Sequence, residues 1–248
     1  MLTYKKDYIV PYYESDANGN MKLPSIFNVA LQLSGEQSML LERSDVWLKE
    51  NYNYTWIVVE YEVAINRLPI FNETISIETA ARSYNKFFCY RDFIFYDQSG
   101  QVLLTITSTW VLLDFETRKV VHVADEIVAP YESEKISKII RGHKFTALES
   151  DILERDYFVR FNDIDQNGHV NNSKYFDWMV DLLGFDFLSG HVPKQISLKY
   201  IKEVLYGVKV TSRAVLDKSD VLEAISKHEI ATEELHAQAE ITWQVKNG

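Results

Sequence analysis

Cysteine is nearly missing from this chain of 248 residues: one thiol, Cys89, is present. No bridge can form within the chain, which suits a reducing compartment. Glycine and proline are scarce, at 9 and 5 residues, so extensive disorder is not expected. No apolar run approaches the ~20 residues that span a bilayer. Met1-Leu2-Thr3-Tyr4-Lys5-Lys6-Asp7 lacks the apolar stretch of a signal peptide. The expected location is cytoplasmic, with no membrane partner.

Positive charge is also in deficit. Lys and Arg number 26 against 36 Asp and Glu, a formal net charge of −10. Nucleic acid demands a basic surface and is not an expected partner. An acidic protein partner would need a local basic patch that overrides the global sign. Lys194, Lys199, Lys202, Lys209 and Arg213 are the candidates for one. His122, His143, His169, His191, His228 and His236 show no paired ligand spacing, and no nucleotide-binding glycine loop occurs. Neither a metal nor a cofactor is expected.

What the chain does contain is a copy of itself. Tyr8-Ile9-Val10-Pro11-Tyr12-Tyr13-Glu14-Ser15-Asp16-Ala17-Asn18-Gly19-Asn20-Met21 matches, without a gap, Tyr157-Phe158-Val159-Arg160-Phe161-Asn162-Asp163-Ile164-Asp165-Gln166-Asn167-Gly168-His169-Val170. In the same register Phe27 faces Phe176, Leu33 faces Leu182 and Gly35 faces Gly184. Thr109-Trp110 and Thr242-Trp243 close the two copies alike. A duplicated unit follows, or a homodimer fused into one chain. The expected division is a first domain over residues 1–130, a connector over 131–152 and a second domain over 153–248.

Each copy opens on a predicted strand (Lys5–Tyr13, Asp156–Asn162), turns at Asn-Gly and enters a helix. Tyr175, Trp178, Met179, Leu182 and Leu183 form a wide apolar stripe at helical period. Gly184 suits the helix stop, and Asn171 or Asn172 its N-cap. Ile26, Ala30, Leu33 and Leu40 give copy one a looser stripe. The remainder reads as strands: Tyr54–Asn66, Glu73–Ser83, Lys86–Asp97 and Gln101–Asp114 in copy one, with alternating patterns along Val208–Leu216 and Leu235–Val245 in copy two. Strands that follow one another without helices between them make an antiparallel sheet. Glu134–Ile140, in the connector, reads as a short helix. The fold class is α+β.

Asp165, Asn167 and His169 sit at alternate positions just ahead of the copy-two helix. The helix start adds unpartnered N–H groups and a partial positive charge, where a developing oxyanion can be held. Asp and Asn before a helix also serve as caps and turn formers. Copy one keeps Asp16, Asn18 and Gly19 but has Asn20 in place of His169. An imidazole present in one copy only is not required by the turn, so function falls on His169.

The run Asp163-Ile164-Asp165-Gln166-Asn167-Gly168-His169-Val170-Asn171-Asn172-Ser173-Lys174-Tyr175, followed about 30 residues on by Ile196-Ser197-Leu198-Lys199-Tyr200-Ile201-Lys202-Glu203-Val204, resembles the acyl-acyl-carrier-protein thioesterases. The resemblance covers nearly the whole chain. It implies a tandem hot-dog fold, in which antiparallel sheet wraps a central helix in each copy. It implies hydrolysis of fatty acyl-carrier-protein thioesters, with acyl carrier protein as partner to a monomer or homodimer. Its catalytic set maps onto Asp165, Asn167, His169 and Glu203. Plant members commonly carry a Cys after that Glu; Val204 stands here, and Cys89 matches no family position.

Without a thiol, water is the eventual nucleophile. Either Glu203 activates it with His169 in the same network, or a carboxylate attacks first to give an anhydride. Asp165 would orient its neighbours, Asn167 would hold the thioester carbonyl, and the N–H groups at the start of the Asn172–Leu183 helix would receive the oxyanion. Ile26, Ala30, Leu33 and Trp56 of copy one are the expected lining of an acyl tunnel. The rival readings are an acyl-coenzyme A thioesterase with the same site, a dehydratase of 3-hydroxyacyl thioesters, and an acyl-binding module.

Overall fold

Two helices with apolar stripes need cover, and one antiparallel sheet supplies it. The computed structural model describes residues 1–246. The first half contributes β1 (Thr3–Ile9), α1 (Leu23–Leu40), α2 (Asp45–Tyr52), β2 (Tyr54–Ile65), β3 (Thr74–Tyr84), β4 (Phe88–Tyr96), β5 (Val102–Asp114), β6 (Val120–Val121) and α3 (Asp125–Val128). After β7 (Glu134–Lys135), the second half adds β8 (Leu153–Phe158), α4 (Asn172–Asp181), α5 (Phe185–Gly190), β9 (His191–Tyr200), β10 (Lys209–Asp217), β11 (Glu223–Ala231) and β12 (Leu235–Val245).

The strand order is β1-β3-β4-β5-β2-β9-β12-β11-β10-β8. From the central β2–β9 seam outward, the two halves have the same order, so the duplication seen in sequence is also one of topology. The seam runs antiparallel from Glu60 opposite Lys199 to Ala64 opposite Gln195 and joins the half-sheets into one. This is the double hot-dog fold. Ile26, Phe27, Ala30 and Leu33 of α1 and Tyr175, Phe176, Trp178 and Met179 of α4 are buried in the same core as the inward side chains of the sheet. Phe27 stacks on Phe176 with ring centroids 4.3 Å apart. These residues occupy matching places in the repeat, as side chains beside a two-fold axis must.

Local departures from the sequence reading have local causes. The predicted opening strands stop early, and a 3-10 turn follows each, at Tyr12–Glu14 and Phe161–Asp163. Pro11 has no N–H for the ladder, and the Asp163 carboxylate accepts from the Arg160 N–H at 2.8 Å, which turns the chain. Leu40 is 68% exposed, so the inward stripe of α1 ends at Gln37. Gly35 lies inside α1, whereas its counterpart Gly184, at φ 78° and ψ 162°, separates α4 from α5. A side chain rarely adopts that backbone geometry, so the second half breaks where the first stays helical.

Glu134–Lys135 is a strand, not the predicted helix, and pairs parallel with Ser83–Tyr84. β1 begins with Thr3 opposite Ala80 and leaves the edge of β3 beyond Ala80 open. Ile139 and Ile140 stay exposed, so a helix there would have had no apolar face to bury. Further along, the connector crosses the outer side of the seam. Glu62 accepts from the His143 N–H at 3.0 Å, and a Cβ on Gly142 would overlap the Glu60 carboxylate. No helix among the described residues is long and apolar enough to cross a membrane.

Candidate active site

The turn that carries the sequence motif is built the same way in both halves. Asp165 N–H donates to the His169 carbonyl at 2.9 Å and Gly168 N–H to the Asp165 carbonyl at 3.0 Å; Asp16, Asn20 and Gly19 repeat this at 2.8 and 3.0 Å. Gly168 and Gly19 have φ of 83° and 75°, a conformation that glycine adopts without strain. The Asp165 carboxylate accepts from Asn167 N–H at 2.8 Å, and Asp16 accepts likewise from Asn18 N–H. Both aspartates therefore hold an Asx turn. This places Asp165 under the motif as an organiser of its backbone. Asn167 is exposed at the apex.

His169 points from this turn toward the loop after β9. Its Nε2 lies 3.2 Å from Glu203 Oε2, with the two side chains 24% and 33% exposed. The loop is tied to the turn by Val170 N–H donating to the Val204 carbonyl at 2.9 Å. The matching bond in the first half runs from Met21 N–H to the Pro69 carbonyl at 2.7 Å. Val204 thus corresponds to Pro69, and Glu203 to Leu68, which is buried. The first half lacks the carboxylate as well as the imidazole, a second asymmetry that the ungapped alignment does not reach.

The helix start behind His169 leaves a donor free. Asn171 caps α4, its side chain accepting from Ser173 N–H at 2.9 Å and Ser173 Oγ at 2.8 Å. The Asn172 carbonyl accepts from the Tyr200 hydroxyl at 2.8 Å, while its N–H has no acceptor among the described residues. Tyr175 and Tyr200 pack edge to face beneath this start, ring centroids 5.2 Å apart. Burial pushes both hydroxyls up, so they stay neutral.

One charged neighbour was missed in the sequence. Arg118, in the turn between β5 and β6, donates through Nη2 to Glu203 Oε1. The two residues are 85 positions apart, and no periodicity or motif links them. β2 and β5 overhang the end of β9, since β2 pairs with β9 only from Glu60 onward but with β5 from Tyr54. That overhang brings the turn over the Glu203 loop.

Other expected site residues separate. Ile26, Ala30 and Leu33 line the inner face of α1 in the central core. Trp56 does not join them. It packs in a second cluster with Leu48 of α2, Leu112 and Val123, because it lies opposite Leu112 at the far end of the β2–β5 ladder, where α2 and not α1 covers the sheet. Cys89 packs against the same second cluster, and burial pushes its thiol up to about 12. Val204 is buried at 1% exposure. Four of the five groups of the proposed basic patch are paired with carboxylates: Lys199 with Glu60 at 3.0 Å, Lys209 with Asp156 at 2.8 Å, Arg213 with Glu154 at 2.8 Å and Lys202 with Glu234. Lys194 donates to the Asn66 carbonyl at 2.8 Å. In strands two residues apart, lysine rows face the carboxylates of neighbouring strands, and the sequence spacing alone does not show this.

Comparison with known families agrees with this layout. The family model for the acyl-ACP thioesterase N-terminal domain matches residues 1–131, and that for the C-terminal domain matches residues 146–245. The chain belongs to the acyl-ACP thioesterase family. A Lactobacillus plantarum protein provisionally described as an oleoyl thioesterase superposes on this family member with a TM-score of 0.96 at 33% identity, covering 100% of this chain and 98% of that one. The 12:0-ACP thioesterase from Umbellularia californica shares the fold, with a TM-score of 0.84 at 20% identity over 98% of this chain and 94% of that one. The Cuphea viscosissima acyl-[acyl-carrier-protein] hydrolase FATB2, chloroplastic, is 27% identical over 217 residues, which is 82% of this chain and 52% of that protein. The chain thus spans about half the length of the curated relatives it matches.

Proposed function

We propose that this acyl-ACP thioesterase family member hydrolyses fatty acyl thioesters of acyl carrier protein to free fatty acid and carrier thiol. The approach of His169 Nε2 to Glu203 Oε2, in the one half that has both groups, carries the reading. In substrate-free enzymes such pairs are often imperfectly aligned and tighten around substrate. Glu203 Oε1 is occupied by Arg118, so Oε2 is the oxygen left to take a proton from water beside His169.

The water oxygen attacks the thioester carbon as its proton passes to Glu203. The oxyanion that forms is met by the free N–H of Asn172 and the side-chain amide of Asn167, with the positive end of α4 behind them. When the tetrahedral intermediate collapses, the C–S bond breaks. The proton then returns through His169 to the departing thiolate, so the pair ends as it began. Asp165 keeps the turn that aims His169. The acyl chain parts the side chains of the first-half core, where Ile26, Ala30 and Leu33 meet it.

The test is thiol release from dodecanoyl, palmitoyl and oleoyl thioesters of acyl carrier protein and of coenzyme A. Turnover of carrier-protein thioesters is expected, and His169→Ala and Glu203→Gln each lose about 10²–10⁴-fold in kcat, the range for a general base, with an unchanged melting temperature. Near-normal kcat in both variants would remove these residues from the chemistry. Turnover of coenzyme A thioesters alone would move the leaving group from carrier protein to coenzyme A. That arm is needed because four of the five basic groups around β9 and β10 are paired with carboxylates, which leaves little free cationic surface for an acidic carrier.

A further inference from the structure

Arg118 is a cation of the first half whose guanidinium is spent on a carboxylate of the second half. It occupies a turn at φ 54°, a left-handed conformation that favours glycine or asparagine over arginine. The turn is held firmly. Arg118 N–H donates to the Asp114 carbonyl at 3.0 Å. The Asp114 carboxylate accepts from Thr117 N–H at 2.7 Å, Thr117 Oγ1 at 2.8 Å and Glu116 N–H at 3.2 Å. These donors, the Thr117 N–H first, hold the Asp114 carboxyl below the usual carboxylate range. The guanidinium is oriented by its bond to Glu203, and its Nε is buried without an acceptor.

An ion pair between two mobile surface side chains contributes little, so a strained residue on a pinned turn is poorly explained by stability. The pair does have a geometric consequence. A carboxylate on a loop can rotate and present either oxygen. With Oε1 bound by a guanidinium carried on a pinned turn, Oε2 is left facing His169. We propose that Arg118 is a positioning residue of the site, through which the first half fixes the orientation of the Glu203 carboxylate. The half without imidazole or carboxylate then contributes to turnover as well as to the fold. The inference rests on the reading of Glu203 as the proton acceptor.

Steady-state kinetics of Arg118→Met, Arg118→Lys, Glu203→Gln and the Arg118→Met/Glu203→Gln double variant on dodecanoyl and oleoyl carrier-protein thioesters test it, alongside thermal melts of each protein. Arg118→Met is expected to lose about 10–10²-fold in kcat, the scale of a misplaced catalytic group. KM should stay within about two-fold, as for a residue that does not bind substrate. Arg118→Lys, which keeps the charge but not the planar fork, should recover part of the loss. The double variant should be no slower than Glu203→Gln alone, since Arg118 acts through that carboxylate. Wild-type kcat in Arg118→Met with an inactive Glu203→Gln overturns the role of Arg118 and leaves Glu203 in place. Near-normal turnover by Glu203→Gln overturns both. If Arg118→Met does not fold, Arg118→Lys decides: reduced kcat at an unchanged melting temperature supports positioning, and wild-type kcat refutes it.

Discussion

Phe27 and Phe176 stack 4.3 Å apart, nearly parallel at an interplanar angle of 15°. Each is the other's counterpart in the repeat, and each belongs to the helix that its own half-sheet covers. Both rings are buried to 1% exposure or less. The contact joins the cores of the two halves at the point where the seam strands β2 and β9 meet behind them. Tyr61 of β2 lies 4.8 Å from Phe27. Tyr61 and Tyr200 then form an edge contact at 6.2 Å that leads to the start of α4.

Phe27→Ala should therefore cost about 3–5 kcal/mol, the range for removing a buried aromatic ring. Urea titration followed by circular dichroism reads this as a lower midpoint at an unchanged slope. A loss under 1 kcal/mol, by the same scale, would mean that the halves are held by the seam strands alone. Because the ring lies on the route from α1 to α4, turnover should fall too, even where the variant remains folded.

Stability should also depend on pH through His228. This ring is buried on β11 at 1% exposure, its Nε2 2.8 Å from Ser226 Oγ. Burial depresses its pKa from 6.5 to about 3. The folded protein keeps the ring neutral, while the unfolded chain takes up a proton below pH 6.5. The contribution is therefore fully present above pH 6.5 and is lost as pH falls toward 3. The slope is up to about 1.4 kcal/mol per pH unit. His228→Leu should flatten this slope between pH 6.5 and about 5, where most carboxylates have yet to titrate. Parallel curves for the two proteins would show that another group controls the acid limb.

Much of this molecule was legible before any coordinates. The gapless match of Tyr8–Met21 on Tyr157–Val170 gave the duplication, and period-two runs such as Leu235–Val245 gave an antiparallel sheet, because both signals are local. The placement of Asp165, Asn167 and His169 ahead of a helix was equally local. What was not legible depends on which strands become neighbours. Trp56 and Ile26 are both apolar, and only the assembled sheet separates them, with Trp56 packed under α2 and Ile26 in the central core. Lys199 reads as a free cation until Glu60 is set opposite it across the seam. Arg118 meets Glu203 because two strands overhang a third, which no spacing encodes. Glu134–Ile140 had the composition of a short helix, but an unfilled edge beside Ser83 turned its start into a strand.

The pairing of Leu68 with Glu203 as structural counterparts makes a last prediction that sequence alignment alone would not. If His169 were the only functional difference between the halves, Asn20→His would place an imidazole in a second, nearly complete turn, with Asp16, Asn18 and Gly19 already present. The structure argues otherwise. The side chain that would face the new ring is Leu68, 8% exposed and part of the central core. It has no charge to orient an imidazole and no oxygen to accept a proton. Asn20→His is therefore expected to leave kcat unchanged in the wild-type background and to restore nothing to His169→Ala. Adding Leu68→Glu should destabilise the first half, because the new carboxylate would lie buried without an Arg118 of its own, and such a charge typically costs several kcal/mol. Thiol release from carrier-protein thioesters by the His169→Ala/Asn20→His double variant measures this directly. Recovery of turnover there would show that the imidazole suffices without the carboxylate, and the pairing of His169 with Glu203 would lose its role.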